Sequence, residues 1–417
     1  MNILIVSVGS YGDVLPLVGL GRELRSRGHD ITFFTNAHFS DLIQQAGLGF
    51  VPMGSTKEYD EVASHPNLWH PHKGWRIIMK RMMAGPLKEY YHLLCSHIEP
   101  GNTLLISSTL GFVARLVQET HHVPNVTVHF SPGVFHSAYE APRMPGLPLP
   151  DWLPVAVKNG IWKFIDHLVI DPILKPKLNR FRQELGLPSI SRIFHNWLHS
   201  PNLVLGLFPE WFAKPQPDWP PSTILTGFPM YDNVGDADLP ATIQTFLATH
   251  PQPFVFTPGS ANKHGTSFFA EAAQACKNMN RPGIFLTRYS QQLPHPLPAH
   301  ITHFSYAPLS HLLPHCAALI HHGGIGTCSQ ALRAGIPQLI QPYAFDQFDN
   351  AARVERLSVG RTLTRRSFQA TKIQQCLEHL THSTTIRTAC TTLRNSFHDT
   401  NPLAESCRQI EHVFHTT

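Results

Sequence analysis

What this chain lacks narrows its possibilities first. No apolar run approaches the roughly 18 residues that a membrane-spanning helix needs. The start, Met1-Asn2-Ile3-Leu4, enters an apolar stretch directly, without a basic n-region or cleavage site, so no secretion signal is expected. The seven cysteines are odd in number and include no Cys-x-x-Cys pair; reduced thiols and a cytoplasmic location are expected. Charged residues make up only 15% of the chain, the net charge is +5, and no dense Lys/Arg run marks a nucleic-acid site. The Gly-x-Gly-x-x-Gly fingerprint of dinucleotide enzymes is missing after the first apolar run, and no acidic residue is suitably placed after the second, which disfavours a nicotinamide oxidoreductase.

What is present describes a globular protein. The chain has 417 residues, enough for two or three domains that each bury a core, and 42% of them are hydrophobic. Short apolar runs at 3–8, 31–35, 104–107, 126–129 and 204–207 alternate with helical stretches. A second set follows at 224–226, 254–257, 284–287, 301–304, 318–320 and 338–340. This βα rhythm predicts an α/β protein with two doubly wound parallel sheets. The Pro-rich stretch 209–221 and the polar stretch 232–240 read as a hinge. The domains are expected at 1–215 and 241–400, joined by a linker at 216–240, with 401–417 as a further weakly helical segment.

The residues from Tyr306 to Gly360 carry the most chemistry. The apolar run 317–320 reads as a buried parallel strand, and Gly323, Gly324 and Gly326 follow it in a turn whose N–H groups can approach a ligand. Thr327 can cap or flank a helix running to about Ala334, with Gly335 as its stop signal. Such a helix start favours an anion through its dipole and free N–H groups, and His322 adds a further donor. Asp346 and Gln347 fall in the loop after the next strand, where a carboxylate and an amide can accept from and donate to sugar hydroxyls. The plainer alternative is that these glycines only shape a turn.

A second loop, Gly9-Ser10-Tyr11-Gly12-Asp13, follows the first strand and precedes a helix ending near Arg27-Gly28, with Pro16 three residues beyond Asp13. It lies at the carboxyl edge of the first sheet. Asp13 can act as a general base toward a hydroxyl, or simply cap the helix expected to begin near Pro16.

Together these motifs resemble the donor-binding signature of nucleotide-sugar glycosyltransferases with the GT-B fold, the UDP-glycosyltransferase and sterol glucosyltransferase-like family. The middle stretch, including Trp197, His199-Ser200-Pro201, Trp211-Phe212-Ala213 and Thr226-Gly227-Phe228-Pro229, is similar to the subgroup of rhamnosyltransferases of rhamnolipid synthesis. The resemblance implies two Rossmann-like domains facing a cleft, with acceptor in the first, donor in the second, and the segment 401–417 crossing back to the first. It makes Asp13 the base that deprotonates the acceptor, on the acceptor-side loop with Gly9, Ser10 and Gly12; sterol and glycopeptide members carry aspartate there too. Tyr306 would stack on the nucleotide base and Ala307 would meet its edge through the backbone. Leu309 stands where plant members have a base-binding glutamine, and Gln330 where many members have a ribose-gripping glutamate, which leaves UDP and dTDP both open. Ser260, His322 and the backbone of Gly324, Gly326 and Thr327 would cradle the diphosphate, while His321 belongs to the strand end.

No Asp-x-Asp pair sits where a metal-dependent transferase coordinates diphosphate, and the 28 histidines lack clustered partners at metal-ligand spacing, so neither metal nor cofactor is expected. The apolar segments 69–83 and 152–173 read either as core or as a greasy acceptor channel opened toward a membrane surface, where Lys73, Arg76, Lys80 and Arg81 would help peripheral contact. The resemblance implies an inverting, metal-independent hexosyltransferase that uses a dTDP- or UDP-sugar. Its acceptor would be a lipophilic alcohol, a 3-hydroxyalkanoyl lipid before a sterol, polyketide or phenol. An epimerase, or a non-catalytic lipid- or partner-binding protein on the same fold, is the rival reading.

Overall fold

The computed structural model describes residues 1–147, 149–231, 239–398 and 400–416. The chain divides into two compact units: Met1–Leu68, His72–Tyr231 and Asn401–Thr417 form the first, Trp69–Pro71 and Asp232–Thr400 the second.

In the first unit seven strands form one parallel sheet: β1 (Asn2–Val6), β2 (Asp30–Thr35), β3 (Gly49–Pro52), β4 (Thr103–Ser108), β5 (Asn125–His129), β6 (Leu203–Gly206) and β7 (Thr223–Leu225). Their order is β3-β2-β1-β4-β5-β6-β7. Every residue of β1, β4, β5 and β6 is buried, as expected of strands covered by helices on both faces. The second unit has six parallel strands: β8 (Phe254–Thr257), β9 (Gly283–Leu286), β10 (Ile301–Phe304), β11 (Ala318–His321), β12 (Gln338–Ile340) and β13 (Gly360–Thr362). They are ordered β10-β9-β8-β11-β12-β13. Both sheets are thus doubly wound, with the order reversing beside the first strand of each, between β1 and β4 and between β8 and β11.

Three expectations need correction. The run 224–226 was expected in the second set, yet β7 pairs in parallel with β6 through Val204↔Thr223, Leu205↔Ile224 and Gly206↔Leu225. The Pro-rich stretch is therefore the crossover between two neighbouring strands, and the first unit runs on to Tyr231, well inside the expected linker. Of the rest of that linker, 232–240, residues 232–238 lie outside the described residues. Strands β3 and β13 were not foreseen; both are short and open or end on glycine and proline, with too little apolar patterning to register. Lastly, the first helix begins at Tyr11, five residues ahead of Pro16, because Ser10 and Asp13 close a capping box there.

Within the segment 69–83, Met79 and Met83 are buried in the core of the first unit, with Trp75 and Met82 packed against the same cluster. The C-terminal helix Pro402–Thr416 buries Ser406, Cys407, Ile410 and Val413. It is fixed to the first unit by a 2.7 Å hydrogen bond between the Ser406 and Thr226 hydroxyls and by Glu411, which meets Arg27 at 3.2 Å and His29 at 2.9 Å. Among the described residues no helix is long and apolar enough to cross a membrane.

Candidate active site

In the second unit, parallel pairing of β8 with β11 and of β11 with β12 brings the loops after these three strands side by side. The loop after β11 opens into the helix Ile325–Ala334, whose N-cap is Gly324 and which has no side-chain cap. Thr327 and Cys328 N–H both bond back to the Gly324 carbonyl at 3.0 and 2.9 Å, so the N–H groups left open in the first turn are those of Ile325 and Gly326. The Gly326 and Ile325 N–H groups therefore stay open at the helix start, whereas the Thr327 N–H is spent on the Gly324 carbonyl. Gly335 ends the helix in the left-handed region, the foreseen stop signal.

The two histidines before this turn divide their work. His321 is buried, its Nδ1 accepting from the Gly323 N–H at 3.1 Å, so Nε2 carries the proton and donates to Gln338 Oε1 at 3.0 Å. It is a strut, and burial holds its pKa down to about 3. His322 is half-buried, its Nδ1 is enclosed without a partner, and desolvation pulls its pKa to about 4, so at neutral pH it is an uncharged ring. A Cβ at Gly324 would come within 2.5 Å of its Nε2, and one at Gly259 within 3.0 Å; the imidazole lies against two bare α-carbons. Gly259 stands at φ +100° after β8, and exposed Ser260 follows it, so Ser260 and His322 share this end of the sheet.

The loop after β12 is joined to the same place. Asn350 donates its amide hydrogens to the Gly323 carbonyl at 3.0 Å and to Asp346 Oδ2 at 2.8 Å. Gly323 (φ +91°) also lies against the Gln347 backbone, where a Cβ would reach the carbonyl oxygen at 3.0 Å. Gln347 spends its Oε1 on the N–H groups of Tyr343 and Ala344, at 2.8 and 3.1 Å, and keeps its amide nitrogen to donate. Asp346, Gln347 and the glycine turn thus form one assembly. Gln330 is buried in the helix, with Oε1 unpartnered. Tyr306, after β10, is 48% exposed, beside Ala307, which is buried in the core. The sequence reading assigned no role to Asn350 and none to Gly259; for Asn350 the available signal was its position four residues after Asp346, one helical turn.

In the first unit the corresponding switch point lies between β1 and β4, where the Val8 N–H bonds to Ser108 Oγ at 3.1 Å. Gly9 (φ +147°), Ser10 and Gly12 shape the loop; a Cβ on Gly9 would collide with the Asp13 carboxylate at 2.2 Å. Asp13 Oδ2 accepts from the Ser10 N–H at 2.7 Å and its hydroxyl at 3.2 Å, while Oδ1 has no hydrogen bond among the described residues. Capping and availability therefore coexist in one side chain. Burial lifts its pKa to about 6, against the opposing pull of the Ser10 contacts. A carboxylate so poised can take a proton from an alcohol near neutral pH.

Both units match known families. Residues 3–138 fit the glycosyltransferase family 28 N-terminal domain, and residues 284–411 the erythromycin biosynthesis protein CIII-like C-terminal domain. Over 388 residues the chain is 26% identical to a sterol 3-beta-glucosyltransferase of Candida albicans, covering 86% of this chain and 24% of that protein. It is 27% identical over 371 residues to the O-mycaminosyltylonolide 6-deoxyallosyltransferase of Streptomyces fradiae, covering 86% and 85%. A spinosyn rhamnosyltransferase solved with thymidine diphosphate shares the fold at a TM-score of 0.70 and 18% identity, over 99% of this chain and 100% of that one. The chain thus has the GT-B fold, and its two ends are similar to the family 28 N-terminal domain and the erythromycin CIII-like C-terminal domain of glycosyltransferases.

Proposed function

We propose that the enzyme is an inverting, metal-independent hexosyltransferase that moves rhamnose or glucose from a dTDP- or UDP-sugar to a hydroxyl of a lipophilic acceptor, a 3-hydroxyalkanoyl lipid first among them. The observation that carries the donor half is the unpartnered Nδ1 of His322 beside an uncapped helix start with two open N–H groups. An anionic diphosphate satisfies all three donors at once. Ser260 and the Thr327 hydroxyl add contacts to the phosphoryl oxygens, and Tyr306 stacks on the base with Ala307 at its edge. Gln330 meets the ribose with an amide, which suits deoxyribose and ribose alike. Asp346 and Gln347 hold the sugar hydroxyls as acceptor and donor.

In the transfer, the acceptor oxygen forms its bond to the anomeric carbon while its proton passes to Asp13 Oδ1. The bond from that carbon to the diphosphate breaks, and its electron pair leaves on the nucleotide. One displacement inverts the anomeric configuration. The helix start and His322 take up the charge developing on the leaving group, the place where fixed donors contribute most.

The choice of a lipid acceptor rests on the likeness of the middle stretch to rhamnolipid-forming enzymes. The sterol and tylonolide names of the two relatives support a second reading, a polycyclic or macrolide alcohol. Nucleotide release from UDP-glucose and dTDP-rhamnose, followed with and without a 3-hydroxy lipid, a sterol or a macrolide aglycone, separates them. Release that appears only with the hydroxy lipid and persists in EDTA supports the proposal. Release only with sterol or macrolide moves the acceptor class, and binding without release under any acceptor would sink the catalytic reading.

A further inference from the structure

We propose that the helical segment 155–170 of the first unit is an anionic-membrane docking surface. The helix Val155–Ile165 and the turn Asp166–Ile170 that continues it are inverted relative to an ordinary surface helix. Their buried face carries Lys158 (2% exposed) and Asp166 (1%) beside Trp162. Lys158 Nζ donates to the Asp151 carbonyl at 3.3 Å, Asp166 pairs with Arg192 at 2.8 Å, and Trp162 stacks on His136 with its N–H on the Ser137 carbonyl. The outward face carries an apolar stripe beside exposed Asn159, Lys163 and His167, with Ile161 half-buried. Val157, Ile161, Phe164 and Leu168 follow one another at steps of four, three and four, a single helical stripe. Phe164 and Leu168 are each 61% exposed, and Trp152, just before the helix, is 80% exposed. Large side chains left so open in one row mark a contact surface.

Charge identifies the occupant. From 155 to 184 Asp166 and Asp171 are buried, and exposed Glu184 pairs with Lys88 and, at 3.9 Å, with Arg180; Lys163 and Lys177 are exposed and Lys175 is half-buried. Before the helix, exposed Asp151 is paired with Arg143 at 3.1 Å. An apolar stripe headed by Trp152 and flanked by Lys163 and Lys177 is complementary to the interface of an anionic bilayer. A second copy of this chain fits poorly, since a twofold contact would set the same lysines against themselves.

The test uses the full chain and vesicles of phosphatidylcholine alone or with a quarter phosphatidylglycerol. Flotation is expected with the anionic vesicles, weakened in 0.5 M salt. Phe164→Ser with Leu168→Ser should lower the bound fraction at least tenfold, and Lys163→Glu about fivefold. Bromine-labelled acyl chains should quench tryptophan emission in the wild type and much less in Trp152→Phe. UDP affinity and the melting curve should stay unchanged in every variant. The proposal fails if the wild type ignores anionic vesicles, if the variants float equally well, or if the substitutions convert a dimer to monomer in sedimentation without changing flotation.

Discussion

The imidazole of His322 rests on the α-carbon of Gly259: a methyl group there would meet Cε1 and Nε2 at 3.0 Å and Cδ2 at 3.1 Å. The loops after β8 and β11 are therefore fitted to each other through a ring and a missing side chain. Gly259→Ala adds a side chain at φ +100° and pushes the ring away. Nucleotide affinity should fall about tenfold in calorimetry, with a stability loss of about 1–2 kcal/mol from the strained backbone. Unchanged affinity would separate His322 from the diphosphate.

His322→Ala tests the same site without strain. Removing one donor to a charged group costs about 1.5–3 kcal/mol, or roughly 10- to 150-fold in Kd for UDP or dTDP. Because the ring is neutral with a pKa near 4, the wild-type affinity should show no step from this group between pH 6 and 8. An affinity within twofold of wild type removes His322 from the donor site.

Asp13→Asn should leave nucleotide binding intact and lower turnover by roughly a hundredfold or more. The base must be ionised, so in the wild type kcat/KM should rise with pH through about 6 and then level off. That limb should disappear from the residual activity of the variant. Turnover near the wild-type rate would end the base assignment.

The same substitution should stabilise the first unit. The folded pKa of Asp13 lies above its ordinary 3.8, so its favourable contribution is complete below that value and is lost as pH rises through about 6. Asparagine keeps an oxygen for the Ser10 cap without the buried charge. A gain of about 1–2 kcal/mol is expected at pH 8, shrinking toward zero near pH 4. Urea unfolding followed by tryptophan emission measures it, since every tryptophan except Trp69 belongs to the first unit. Equal stability at pH 8 would mean that the carboxylate is better solvated than its surroundings imply.

Much of this was legible in the residues. The buried strands β1, β4, β8 and β11 are continuous apolar runs, and a strand covered on both faces can hardly be written otherwise. Edge strands are half-exposed, so β13, Gly-Arg-Thr, reads like a loop until its neighbour pairs with it. The pairing of β7 with β6 depends on long-range register, which no local pattern announces. In the candidate site, His322, Asp346 and Gln347 follow from their place after strand ends. The tie made by Asn350 and the seat offered by Gly259 come from contacts between loops far apart in sequence. The helix start was displaced because Pro16 looked like a first-turn signal, while the real signal was Ser10 with an acid three residues on.

The return of Pro402–Thr416 to the first unit makes the second a cassette spliced into its partner's chain, entered after Tyr231 and left before Asn401. Grafting a relative's donor module onto this protein thus requires two junctions instead of one. A graft that replaced everything beyond the first junction would take away the helix bonded to Thr226 and Arg27, and strip cover from the first unit it meant to preserve.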